Sequence, residues 1–144
     1  MAVEITIAGD GCALRLRVNR YEFTDAPDYH DANWLVTDVE LVAESREGFE
    51  ITVQAAELLG FRDRLRQAVE SRSGSPTFDH LEEQVGCTIA IESDRATLSA
   101  FIQEHGGAEL RVAGRRMERH QLERALRDLD AAVQAFPVRE RPTP

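Results

Sequence analysis

The sequence predicts an α+β fold of antiparallel strands, about seven or eight, on which two α-helices pack. Three observations carry this. Stretches in which apolar and polar residues alternate come in groups, separated by short glycine- or aspartate-bearing turns. Each group is followed by one stretch whose apolar residues recur at helical spacing. The order is therefore several strands and then a helix, twice over, and not the strict strand–helix alternation of a parallel sheet.

Taken in order, VEITIAG at 3–9 and CALRLRVNRYEF at 12–23 flank Gly9-Asp10-Gly11 and predict a hairpin. Strand side chains point alternately to opposite sides, so Leu14, Leu16 and Val18 share one face and Arg15, Arg17 and Asn19 the other. After a loop, NWLVTDVELVAES at 33–45 predicts a long strand, and EGFEITVQ at 47–54 returns through a turn containing Gly48. AAELLGFRDRLRQAVES at 55–71 changes period: Leu58, Phe61, Leu65 and Ala68 or Val69 fall on one helical face. RSGSP at 72–76 stops that helix and opens a second run of strands. CTIAIES at 87–93, RATLSAFIQE at 95–104 and AELRVAG at 108–114 are its clear members, joined by Ser93-Asp94 and Gly106-Gly107. A helix then runs from about Glu118 to Ala135, with Leu122, Leu126, Leu129, Val133 and Phe136 as its apolar stripe, and Pro137 ends it. A single domain over 1–137 with a flexible tail at 138–144 is expected. The halves echo each other, since Phe61, Leu65 and Ala68 map onto Leu122, Leu126 and Leu129 at a constant offset of 61. Two pseudo-repeated units would give that pattern, although any two strand–helix units share a period.

Composition narrows the function. All 17 basic residues are arginine, which reflects codon bias more than chemistry, and the net charge is −9. Residues 1–60 hold 12 acidic groups against four arginines, so the acidity belongs to the first half. Such a surface repels phosphate backbones and anionic lipid and attracts basic partners, so nucleic acid and membrane are not expected as partners. No run approaches the roughly 18 apolar residues of a membrane helix, and MAVEITIAGD lacks a basic start and an apolar signal segment. A soluble, cytoplasmic protein is expected. Cys12 and Cys87 are too few for a disulfide framework and read as small buried residues.

The most unusual stretch is TDAPDYHDANWL at 24–35. Asp25, Asp28 and Asp31 recur every third residue, whereas a helix–loop–helix calcium site needs oxygen ligands at alternate positions. Only His30 lies nearby, with His80, His105 and His120 scattered along the chain, so no metal site and no cofactor are expected. The stretch is either a solvated turn or a partner-binding loop, with Asp25, Asp28, Tyr29, His30 and Asp31 as candidate contacts. Asn33 and Trp34 read as its structural anchor, the tryptophan as a large buried side chain entering a strand. RVAGRRMER at 111–119 reads as a solvated helix face, because its charges are interleaved with Glu118 and Glu123 and no aromatic platform accompanies them. There is no G-x-S-x-G, and a lysine-dependent phosphate loop is excluded by the absence of lysine, so no catalytic residue is assigned.

DYHDANWLVTDVEL at 28–41, AAELLGFRDRLRQAV at 55–69, PTFDHLEE at 76–83 and LERALRDLDAAVQAFPVR at 122–139 together resemble a widespread bacterial family that includes the WapI-type immunity proteins. The resemblance covers about residues 12–139. Its most specific parts are the aspartate-rich turn into Asn33-Trp34-Leu35 and the Glu57-Leu58 opening of the first helix. The segment at 92–107 departs from it in having fewer glycine-rich turns. The resemblance implies a non-enzymatic protein that protects a cell by binding a toxin, and it carries over no functional residues. Charge adds that the partner would be basic. The alternative is a small-molecule binder or unrecognised enzyme with a pocket between sheet and helix; convergent titratable groups in an enclosed cavity would favour it.

Overall fold

In the computed structural model, which describes residues 1–23 and 29–139, the chain is α+β as expected. Strands β1 (Val3–Gly9), β2 (Cys12–Tyr21), β3 (Trp34–Val42) and β4 (Arg46–Gln54) form one antiparallel sheet in sequence order, with a single-turn helix α1 (Tyr29–Ala32) before β3. Helix α2 (Ala55–Ser71) follows. The second sheet holds β5 (Ser73–Gly74), β6 (Thr77–Asp79), β7 (Val85–Glu92), β8 (Arg95–Gln103) and β9 (Glu109–Met117), and helix α3 (Arg119–Ala135) follows it. The described residues thus hold nine strands, more than expected, because β5 and β6 are two and three residues long and too short to show a period. Both pair with β7, β5 at Ile91–Glu92 and β6 at Gly86–Thr88. They share one edge of β7, so each sheet is four positions wide.

Alternation in the first hairpin places side chains as expected. Ile5, Ile7, Leu14, Leu16 and Val18 are buried, while Arg15 pairs with Glu40 of β3 on the opposite face at 3.2 Å. The inner faces of both sheets and both helices contribute to one hydrophobic cluster that runs from Ile5 to Phe136. Helix α2 begins with a capping box, in which the Glu57 carboxylate accepts the Gln54 N–H at 2.7 Å, and it ends at Arg72 in the left-handed conformation. Leu58, Phe61, Leu65 and Ala68 form its buried face, as predicted.

Helix α3 differs in detail. Its fully buried positions are Ala125, Leu129 and Ala132, with Leu122, Leu126 and Val133 only half-buried around them. It lies along β1, where the two alanines allow close approach, so the larger residues flank the contact instead of filling it. Phe61, Leu65 and Ala68 therefore correspond in burial to Ala125, Leu129 and Ala132, an offset of 64 and not 61. The outer faces of the two helices meet through Asp130, which accepts hydrogen bonds from Arg62 at 2.9 Å and Arg66 at 2.5 Å.

The stretch 111–117 is strand and not helix surface. Its Arg115 donates to the Asp10 carbonyl at 3.1 Å and pairs with Glu44 at 2.6 Å, tying the β1–β2 and β3–β4 turns to β9. The hydrogen bond from Arg115 holds the Glu44 carboxyl below its ordinary range. Gly9 lets the strands approach closely there, since a Cβ would sit 3.2 Å from the Arg115 Cβ and 3.3 Å from two carbonyl oxygens of β9.

Candidate functional site

The aspartate-rich excursion leaves β2 at Tyr21 and re-enters the sheet at Trp34. Asp25 and Asp28 lie outside the described residues, as do the side chains of Tyr29 and His30; the backbone of those two opens α1. Asp31 is half-buried. Asn33 is buried, and both its backbone and its side chain bond to distant parts of the chain. Its carbonyl accepts the Ala55 N–H at 2.9 Å, fixing the start of α2. Its side chain pairs with the backbone of Arg139, donating to the carbonyl at 3.1 Å and accepting the N–H at 2.6 Å.

Trp34 corrects the expectation of a core tryptophan. Leu35, Val39 and Leu41 face the core, so Trp34 faces the other side of β3, half-buried and outside the core cluster. It anchors through its backbone, where its carbonyl accepts the Glu22 N–H at 2.8 Å.

The residues after α3, expected to fray from Val138, are docked as far as they are described. Tyr21 Oη donates to the Pro137 carbonyl at 2.5 Å, and its ring meets Phe136 edge-on at 5.6 Å. The Arg139 guanidinium lies 3.8 Å from the Tyr21 ring centre, and donates to the Phe23 carbonyl at 2.8 Å and to the Ala32 carbonyl from Nε at 2.7 Å. Phe23 and Ala32 bracket the excursion, so one side chain from the end of the described chain clasps both its ends.

Next to this clasp is an open hollow of about 580 Å³ lined by Asn33, Gln54, Glu57, His80, Leu81 and Val138, among others. Its far wall is the turn between β6 and β7, which the sequence reading did not single out as a site. His80 is buried with both ring nitrogens engaged: Nδ1 accepts the Gln84 N–H at 3.2 Å, so Nε2 carries the proton and donates to the Thr52 carbonyl of β4 at 2.6 Å. Glu57 uses its second oxygen to accept the Leu81 N–H at 2.8 Å. The turn closes with Glu83 N–H donating to the His80 carbonyl at 2.9 Å, and Glu83 adopts a left-handed φ of 57°. The signal available in the sequence was a histidine and an apolar residue amid four acidic or amide groups in DHLEEQ, which has no period and matches no motif.

Among the described residues no three metal-ligating side chains converge. Neither cysteine is a nucleophile in this setting: burial pushes the Cys87 thiol up to about 12 and raises that of Cys12 as well, so both stay protonated near neutrality. Among the described residues no helix is long and apolar enough to cross a membrane. Compared with known proteins, the chain matches none among the curated proteins and none among the solved structures. Its residues 5–137, which contain the excursion, Asn33 and the turn at His80, match the immunity protein WapI-like family, and the chain belongs to that family.

Proposed function

We propose that the chain is a non-enzymatic bacterial immunity protein that acts in the cytoplasm by binding a protein toxin through an acidic surface. Membership of the WapI-like immunity family over residues 5–137 carries this reading. The contact surface centres on the excursion, with Asp25, Asp28, Tyr29, His30 and Asp31 as contacts and Asn33 and the Arg139 clasp as its support. An acidic surface suits a basic partner, because opposite potentials steer encounter and suppress wrong partners.

What supports binding over a small-molecule site or an enzyme is the state of the polar groups in the hollow. Both oxygens of Glu57, both nitrogens of His80 and both side-chain polar atoms of Asn33 are already bonded to backbone groups of the protein. They build the wall and leave few convergent groups to hold a ligand or a reacting atom.

Co-expression with the toxin domain encoded beside the gene tests the reading: the chain should restore growth. Replacing Asp25, Asp28 and Asp31 together by arginine should weaken that rescue while leaving thermal unfolding unchanged. Full rescue by the folded triple variant would reduce the excursion to a structural role, and no rescue by the unaltered chain would overturn the immunity reading for that toxin.

A further inference from the structure

We propose that the β6–β7 turn, His80–Gln84, is a built docking ridge for a basic protein partner, with Leu81 as its apolar anchor. The proposal rests on the toxin-binding reading and locates the interface on residues that reading did not include.

An exposed leucine is ordinary by itself. Leu81 is 70% exposed, and among the described residues the other exposed large apolar side chains are only the terminal Met1 and Phe23. What sets Leu81 apart is how firmly its backbone is held. Besides the bonds from Glu57 and the two His80 nitrogens, His105 Nε2 donates to the Glu82 carbonyl at 3.2 Å, and Gln103 N–H donates to the Gln84 carbonyl at 2.9 Å. Groups from β4, α2, β8 and the β8–β9 turn thus fix five residues of turn. A loop that only connects strands needs no such support, and ordering it costs roughly 1–2 kcal/mol of backbone entropy per residue. The ordered turn keeps an apolar side chain in water, and Glu83 is held in a conformation that non-glycine residues rarely adopt.

The surroundings fit a partner of one kind. The turn stands between two open hollows, the one beside Asn33 and a second of about 570 Å³ over the outer face of the second sheet, and Asp79, His80 and Glu83 line both. That relief would seat a partner on either side of the leucine. Glu57, Asp79, Glu82 and Glu83 surround it, and among the described residues none of these four carboxylates is in an ion pair, although eleven ion-pair contacts occur elsewhere. Among the described residues no arginine lines the hollow beside Asn33. Unneutralised carboxylates around an apolar tip complement a basic surface with an apolar recess, the pattern of a central anchor within a charged rim.

The test measures affinity and association rate, by surface plasmon resonance, between the full chain and the toxin domain encoded beside the gene. Leu81→Asp should weaken binding by at least about 30-fold, the loss expected of an interface anchor. Glu82→Arg with Glu83→Arg should slow association by about 10-fold or more at low salt, with the gap closing as salt is raised. Glu123→Arg on exposed α3 is the charge control and should bind like the unaltered chain. Thermal unfolding of each variant checks the fold, with Leu81→Ser as the milder replacement should Leu81→Asp fail to fold. Normal binding by folded Leu81 variants overturns the ridge and leaves the toxin reading standing. Absence of binding by the unaltered chain overturns the toxin reading itself.

Discussion

Replacing Asn33 by alanine isolates the clasp between the excursion and the end of the described chain. The change keeps the backbone bond from Ala55 N–H to the Asn33 carbonyl and removes both side-chain bonds to Arg139. Each such bond contributes about 1 kcal/mol net, and the stranded Arg139 N–H and carbonyl add a desolvation penalty if the strap stays in place. If the strap instead lifts, those groups find water, but the contacts of Arg139 with Tyr21, Phe23 and Ala32 are lost. Both routes give at least about 2 kcal/mol, or a fall in melting temperature of at least roughly 4–8 °C for a chain of this size. Circular dichroism melts and urea titrations give the magnitude. A chain truncated after Pro137 provides the decisive comparison, because it lacks Arg139. In that background Asn33→Ala should cost at least about 1 kcal/mol less, a coupling well beyond the few tenths seen for independent sites. Costs that add within about 0.5 kcal/mol, or a full-length variant that melts within 1 °C of the parent, would show that Asn33 does not work through Arg139.

Gly86→Ala should destabilise by about 1–3 kcal/mol in denaturant titration, because its Cβ would sit 2.4 Å from a ring carbon of Phe101, which is also covered by Arg111 at 4.6 Å. Asp130→Asn should cost about 0.5–1 kcal/mol at pH 7 by loosening α2 from α3. Hydrogen bonding from Arg62 lowers the Asp130 carboxyl below its ordinary value of 3.8, so the stabilisation is present above that pH and is lost as pH falls through the lowered value. Stability curves of parent and variant should therefore converge once the pH falls below that lowered value. Cys12 and Cys87 should resist a thiol reagent in the folded protein at pH 8 and both react in denaturant. Fast native labelling of Cys87 would contradict the burial that pushes its thiol up to about 12.

Most of the fold was legible because it rests on period. Leu14, Leu16 and Val18 alternate, and Leu58, Phe61, Leu65 and Ala68 recur at helical spacing, so their burial follows from strand and helix geometry alone. Errors arose where local pattern and packing part. In α3 the apolar stripe of Leu122, Leu126, Leu129, Val133 and Phe136 is fully buried only at Leu129 and Phe136, because Ala125 and Ala132 set the distance to β1 and share the contact. Trp34 was placed in the core by its size, whereas its register beside Leu35 turns it to the other face. Arg115 looked like one charge in a basic run. Its clamp on Asp10 and Glu44 depends on partners 105 and 71 residues away, which no local rule reaches.

The same distinction explains why the excursion drew attention in the sequence and the β6–β7 turn did not. Aspartates at 25, 28 and 31 form a visible cluster, while Leu81 is a single apolar residue whose meaning depends on what holds it. The clue lies one layer beneath. Among the described residues four polar side chains are buried, Thr6, Asn33, Thr37 and His80, and two of them, Asn33 and His80, stand under the same hollow. Apolar residues at those positions would stabilise the core without fixing the backbone above it. Hydrogen-bonded asparagine and histidine instead set the position of each segment they touch, because a buried polar group left unpaired costs more than its bond contributes. A polar pair under one surface hollow is a device for holding geometry. The surface it holds, from Asn33 to Leu81, is the one we propose meets the partner.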